Sequence, residues 1–463
     1  MKRVALLVLL LSTAAHAQGN YRASPIGGRT TLMGGTGVAD ARDGAAPFLN
    51  PATVVRIEEG RLAFSVNFYS LTLRSASHWF RPGEVDATRF GVVDDASAKM
   101  TDATFDALPS SLCLFFGAGH ELRPRLDKDP IGRSARLAVC FATTQEEDFT
   151  FAEERREQRA TVGLTRQSQT VSHSFRRFAI GPTYALHLSE GFAIGASVHG
   201  SLVNERWFTS SILDAPATSS VFVGTSRGTS FDLSSIVGAT YRFGTQTVGL
   251  AIETPDLPIA GRGGATVHAS SGAGQAVAEA SAAGSFAAHR PLRVGIGTAV
   301  VDGWGAAEVD VSYWAPMDHA YSVDFDDAVG TRGVVGMNAG AEINVSPTLS
   351  FLGGASTDVG AVRLGEVGGS HLFQYFIAGG DRIAGSLGVR SRGPDGDFMF
   401  GTELSHTRSQ RLAVNGYAPV PALTATPDES WRILLVIAGS TSFGAIRRAA
   451  ENVKDVLDPR HPK

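Results

Sequence analysis

The chain has 463 residues, a formal net charge of −4, 53 glycines and only 19% charged residues. That acidic balance excludes a nucleic-acid binder, which needs a basic face. Two cysteines in so long a chain exclude a disulfide-rich scaffold.

The N-terminus reads "MKRVALLVLLLSTAAHAQ". Lys2 and Arg3 precede a short apolar run, and Ala15-His16-Ala17 forms an A-x-A cleavage site. This predicts a secretory signal peptide over residues 1–17, with the mature chain starting at Gln18. No cysteine follows the cleavage site, which argues against a lipoprotein anchor. No stretch has the roughly 18 consecutive apolar residues of a membrane helix. Without Lys2 and Arg3 the chain carries 39 Lys and Arg against 45 Asp and Glu.

Residues 18–60 come next and contain "GGRTTLMGGTGVADARDGAAPFLNPATV". The stretch is too glycine-rich for a good helix and too irregular for a strand. Its glycines and alanines let backbone pass close to backbone. Leu32, Met33, Phe48 and Leu49 are large enough to seal a narrow space.

Period-two alternation begins at Leu62 and recurs almost to the end. In "LAFSVNF" Leu62, Phe64, Val66 and Phe68 share one face, and Ala63, Ser65 and Asn67 the other. "RFAIGPTYALHL" and "GFAIGASVHGSL" repeat the pattern around the short turn "SEG", as a hairpin does. Further pairs are joined by "VDGWG" and by "SP".

A soluble sandwich also alternates. Three features point instead to an all-β protein of the transmembrane antiparallel β-barrel type. The runs are long against the five or six residues usual for soluble strands. The less apolar face is built from Gly, Ala, Ser and Thr with isolated charges, which suits a lumen. Short turns alternate with long polar insertions, among them residues 81–102 and 260–289, as periplasmic turns alternate with extracellular loops. About fourteen strands are expected, an even number in the range of such barrels. Closure pairs every backbone group that lipid could not satisfy.

Trp207, Phe208, Tyr313, Trp314 and Trp431 stand at strand ends and are expected in interfacial girdles. Glu253, Glu308, Asp310, Glu342 and Glu403 fall on the less apolar face. A charge at the lipid midplane costs several kcal/mol, so these five are the lumen-facing candidates. Cys113 and Cys140 lie in neighbouring strand-like runs, and both a cross-strand disulfide and two separate thiols fit. Phe443 marks the expected end of a barrel spanning residues 61–443. The tail 444–463 has two readings, a short helix with Ile446, Ala450, Val453 and Leu457 on one face, or a frayed periplasmic end.

Chemical motifs are few. "GTSRG" fits G-x-S-x-G around Ser226, but strand patterning flanks it on both sides, where a nucleophile elbow needs a helix after it. Asp324, Asp326 and Asp327 read as a solvated loop, and the histidines show no metal spacing. No catalytic residue, cofactor or metal is expected. An outer-membrane hydrolase would need His173 or His319 to meet a Ser or Asp in space.

The glycine-rich stretch resembles the hatch of the FadL-type outer-membrane transporters of long-chain fatty acids and other hydrophobic compounds. Gly34, Gly35, Ala39, Asp40, Asp43, Ala45, Phe48, Asn50, Pro51 and Ala52 carry the resemblance. "AIGPTYALHLSEGFAIGASVHG", "ETPDLPIAG" and "PLRVGIGTAV" echo it more weakly. The resemblance implies a plug inside the lumen, capture of a hydrophobic ligand from outside, and sideways release into the outer membrane. It implies as partners the ligand, outer-membrane lipid and lipopolysaccharide, and the barrel assembly machinery, for a monomeric protein. The alternative reading is a structural or secretion-associated barrel. The chain departs from the family pattern in continuing past the last strand.

Overall fold

The computed structural model describes residues 26–58, 60–77, 99–117, 135–159, 163–215, 218–271, 275–323, 328–361, 380–415 and 422–457. The expected signal peptide and Asp324, Asp326 and Asp327 lie outside them, as does most of the insertion at 81–102.

The elements in order are helices α1 (Gly28–Leu32) and α2 (Ala46–Leu49) and a 3-10 helix (Pro51–Arg56). Strands follow: β1 (Arg61–Ser77), β2 (Lys99–Gly117), β3 (Ala135–Arg159), β4 (Gly163–His187), β5 (Phe192–Ala215), β6 (Thr218–Phe243) and β7 (Gln246–Glu253). Then come β8 (Leu257–Ser271), β9 (Gln275–Gly284), β10 (Phe286–Ala288), β11 (Arg293–Asp302), β12 (Gly305–Trp314), β13 (Met317–Val323) and β14 (Ala328–Thr331). The last are β15 (Val334–Asn344), β16 (Leu349–Asp358), β17 (Gly380–Arg392), β18 (Gly396–Asn415), β19 (Ala422–Ser442) and helix α3 (Phe443–Leu457).

Fourteen strands close into an antiparallel barrel. Strands β1 to β7 follow each other round the wall, then β11, β12 and β15 to β19, and β19 pairs with β1. The wall is uneven in height. Strands β3 to β6 run 24 to 26 residues, whereas β11, β12 and β16 have 10.

Alternation sorts the two faces as the pleat requires. On β4 and β5 the outward residues Ile180, Tyr184, Ile194 and Val198 are exposed, while Ala179, Thr183, Ser197 and His199 are buried. The same exposure of large apolar side chains recurs on β7 (Val248, Leu250, Ile252), β12 (Val309, Val311) and β17 (Ile383, Leu387). An apolar surface that wraps the whole wall is stable in lipid, not in water. No described helix is long and apolar enough to cross a membrane.

The insertion at 260–289, read from sequence as a polar loop, is largely strand. β7 stops where Glu253 meets Ile236, which would leave the upper half of β6 as an open edge. β8 takes that edge, pairing from Leu233–Leu257 to Ser220–Ser271, and β9 pairs with β8. An unpaired edge is the liability that this hairpin removes.

Two aromatic expectations also change. Phe208, Tyr313 and Trp431 are exposed on the outer face, but Trp207 and Trp314 are buried inside. Adjacent strand residues point to opposite faces, so Trp207–Phe208 and Tyr313–Trp314 cannot both be girdle pairs. Trp207 instead packs on His173, with ring centroids 4.6 Å apart.

Cys113 and Cys140 face each other across β2 and β3 and are joined as a disulfide, with Cα atoms 4.2 Å apart. The tail forms α3, and Phe443 opens this helix where the barrel had been expected to end on it. Ser442 Oγ accepts from Ala445 N at 3.1 Å, and Arg448 reaches Asp395 at 2.6 Å.

Candidate functional site: the lumen and its N-terminal segment

Residues 26–57 lie against the inner side of the wall at the end where the short turns and both ends of the strand array sit. Their burial is nearly complete, and their contacts go all round the ring. Helix α1 touches β16 to β19 and β1, and the 3-10 helix touches β3 to β6.

Local sequence explains the path. Gly34 (φ +68°) and Gly35 (φ +81°) take the left-handed conformation that ends α1, and their N–H groups donate to Thr31 O and Thr30 O. Asn50 is extended (φ −151°, ψ 103°), as the residue before Pro51 should be. Its Oδ1 accepts from Ala52 N at 3.1 Å and so caps the 3-10 helix. Its Nδ2 donates to Val38 O at 2.6 Å and to Ala239 O of β6 at 3.2 Å. One side chain thus ties the middle of the segment, its later part and the wall.

The carboxylates of the segment are equally committed. Asp43 accepts from Thr30 N, Thr30 Oγ1 and Ala45 N at 2.8–3.0 Å. Burial pushes its carboxyl up, against these three hydrogen bonds. Asp40 binds Arg56 at 2.6 Å, Arg42 at 2.9 Å and Arg29 at 3.6 Å. Phe48 stacks on His199, with centroids 4.5 Å apart.

The five acidic strand residues are each at most 5% exposed and lie on the inner face. Three of them hold the segment. Asp310 accepts from Gly37 N at 2.7 Å and Val38 N at 3.0 Å. Glu308 accepts from Ala39 N at 2.7 Å and Asp40 N at 3.1 Å. Glu342 pairs with Arg29 at 2.7 Å and with Arg390 and Arg392 of β17. The other two bind arginines outside the segment. Glu253 pairs with Arg290 and Arg293 at 2.9 Å each, and Glu403 with Arg382 and Arg432.

The wall glycines escaped the sequence reading as contact residues. A Cβ at Gly238 would overlap Asn50 Oδ1, and one at Gly195 would press on the Pro51–Ala52 peptide. A Cβ at Gly249 would overlap Val38 O, and at Gly340 or Gly354 the backbone of Met33 and Gly34. All five sit on the inward phase of their strands. That phase was the signal available, because nothing local demands glycine in a regular strand.

Beside the segment is a chamber between it and the wall. Phe48, Leu49, Ile236 and Trp314 give it apolar surface. Glu253, Arg293, Arg382 and Glu403 give it paired charge, and Ser312 adds a hydroxyl. Arg293 is 1% exposed, lies 5.5 Å from the Trp314 ring centre and donates to Phe48 O and Leu49 O. Its Nη1 and the Ser312 Oγ have no hydrogen-bond partner among the described residues.

Ser226 is a buried residue in the middle of β6, with strand on both sides. His173 has Glu205 at 3.6 Å and aromatic rings around it. The side chain of His319 lies outside the described residues. No group of three or more His, Cys, Asp or Glu that could hold a metal occurs among the described residues.

The fold has counterparts among solved structures. The chain has the FadL-type fold. A FadL homologue from Pseudomonas aeruginosa aligns with 92% of this chain and 100% of its own, at 13% identity and a TM-score of 0.56. The toluene transporter TodX from P. putida aligns with 91% of this chain and 99% of its own, at 12% identity and a TM-score of 0.57. The toluene transporter TbuX from Ralstonia pickettii aligns with 91% of this chain and 100% of its own, at 14% identity and a TM-score of 0.54. No family model matches the chain, and no curated protein sequence matches it.

Proposed function

We propose that the protein carries hydrophobic small molecules across a bacterial outer membrane, passively, with residues 18–60 as a movable hatch. The observation that carries this reading is the pairing of a barrel that is apolar outside with a buried N-terminal segment bonded to its inner face, beside a chamber with an apolar wall. The FadL-type fold supports it, because its solved examples include transporters of toluene. The same likeness speaks against an enzyme.

Within this reading, a long-chain fatty acid or similar amphiphile suits the chamber better than a bare hydrocarbon. A hydrocarbon would leave Arg293 Nη1 and Ser312 Oγ buried without a partner, at about 1–3 kcal/mol each. An oxygen acceptor at the end of an apolar body would satisfy them. The ligand would leave sideways where the wall is irregular. β3 shifts register between Thr143 and Gln145, and Thr144 there lines the chamber. The β4–β5 ladder also skips Gly181 and Pro182, resuming at Thr183–Ser197.

The test is binding of a fluorescent fatty-acid analogue to the purified protein, with palmitate and toluene as competitors. Displacement by palmitate at far lower concentration than toluene is expected. Absence of saturable binding of both would sink the transport reading.

A further inference from the structure

A second cavity, of about 290 Å³, opens at the short-turn end of the barrel. The segment contributes Asp40, Arg42 and Arg56, and the ends of the strands contribute His187, Glu190 and Arg242.

A guanidinium has five N–H donors. Arg42 spends Nε on Asp40. Arg56 spends Nη1 on Asp40 Oδ1 at 2.6 Å and Ala39 O at 3.0 Å. Arg242 spends Nε on Gly244 O at 3.1 Å. Each therefore keeps N–H groups uncommitted among the described residues, around one concave space.

Charge is short in the same place. Asp40 is the carboxylate that both Arg42 and Arg56 bind, and it is shared with the buried Arg29. Arg29 has Glu342 as its other partner, but Glu342 also serves Arg390 and Arg392. Among the charged residues that line the cavity, three guanidiniums (Arg42, Arg56 and Arg242) meet two carboxylates (Asp40 and Glu190). Glu190 on the turn is exposed and makes no ion pair among the described residues.

We propose that this cavity is an oxyanion site, taking a phosphate or carboxylate group from the side that the short turns face. Planar guanidiniums with spare paired donors suit such groups geometrically. The site also acts on the segment. An anion that draws Arg42 and Arg56 away from Asp40 weakens the ties that hold residues 39–56 together at this end. The proposal does not depend on what the chamber carries.

The experiment is calorimetric titration of the full chain in detergent micelles with inorganic phosphate at low ionic strength. Arg242→Gln should weaken binding tenfold or more, and Glu190→Gln should tighten it several-fold. Both residues lie outside the segment, so Asp40 keeps its partners. Heat-modifiable migration on a mild-detergent gel confirms that each variant is folded. A parallel titration with dihexanoyl phosphatidic acid separates the sources. Equal affinity means that the free ion suffices, and much tighter binding means a lipid headgroup. No saturable binding of either probe, or binding that ignores both substitutions, would overturn the site.

Discussion

Asn50 and Gly238 occupy one position from opposite sides. The Asn50 amide lies where a Gly238 side chain would begin, and it donates to the carbonyl of the next residue, Ala239. Asn50→Ala removes three bonds from a fully buried site, to Val38 O, Ala239 O and Ala52 N. Each buried group left unpaired costs on the order of 1–3 kcal/mol. The barrel should stay heat-modifiable, while amide exchange across residues 38–53 accelerates at least tenfold. Exchange unchanged from wild type would mean that the segment is held elsewhere.

Gly238→Ala should reach the same endpoint from the wall. The added Cβ leaves Asn50 no room in its present position, and the backbone on both sides is committed to ladders. Gly303→Ala is the control, since nothing lies within 4 Å of its added Cβ. Proteolysis of detergent-solubilised protein should cut the N-terminal segment faster in the first variant only.

Asp310→Ala strands the N–H groups of Gly37 and Val38 in a buried site. Hydrogen bonds to a charged acceptor contribute about 1.5–3 kcal/mol. The expected outcome is lost exchange protection at residues 37 and 38, with residues 46–49 less affected. Asp310→Asn keeps an acceptor and should recover part of the protection.

Deleting residues 18–47 should open a conducting pore, because this range includes most of the segment's contacts with β16 to β19. Single-channel recording in planar bilayers reads the result directly. A deletion that conducts no better than the intact protein would refute the hatch.

The disulfide predicts a thiol count. Denatured, unreduced protein should take up no maleimide, and reduced protein should take up two, at Cys113 and Cys140. Because both are buried inside the wall, folded protein should resist reduction unless the denaturant is present.

Alternation assigned the two faces, and the long runs, the small-residue inner face and the short turns between long insertions separated a membrane barrel from a sandwich. Each outward Ile, Val, Leu and Phe is a local statement about lipid, and period two assigns the faces without any knowledge of partners. The extended backbone at Asn50 was legible for the same reason, since proline restricts the residue before it locally, whereas the short helices at 28–32, 46–49 and 51–56 were not, because the stretch is too glycine-rich to read as a good helix. Tertiary structure decided the rest. Trp207 and Trp314 turned inward because a strand's phase outranks an aromatic's taste for an interface. The 260–289 insertion became strands because β6 outruns β7, and strand lengths on different parts of the chain cannot be compared before they pair. The partners of Glu308, Asp310 and Glu342 lie some 270 to 310 residues away along the chain. Contacts of that separation exist only once the ring has closed and brought its walls to the segment.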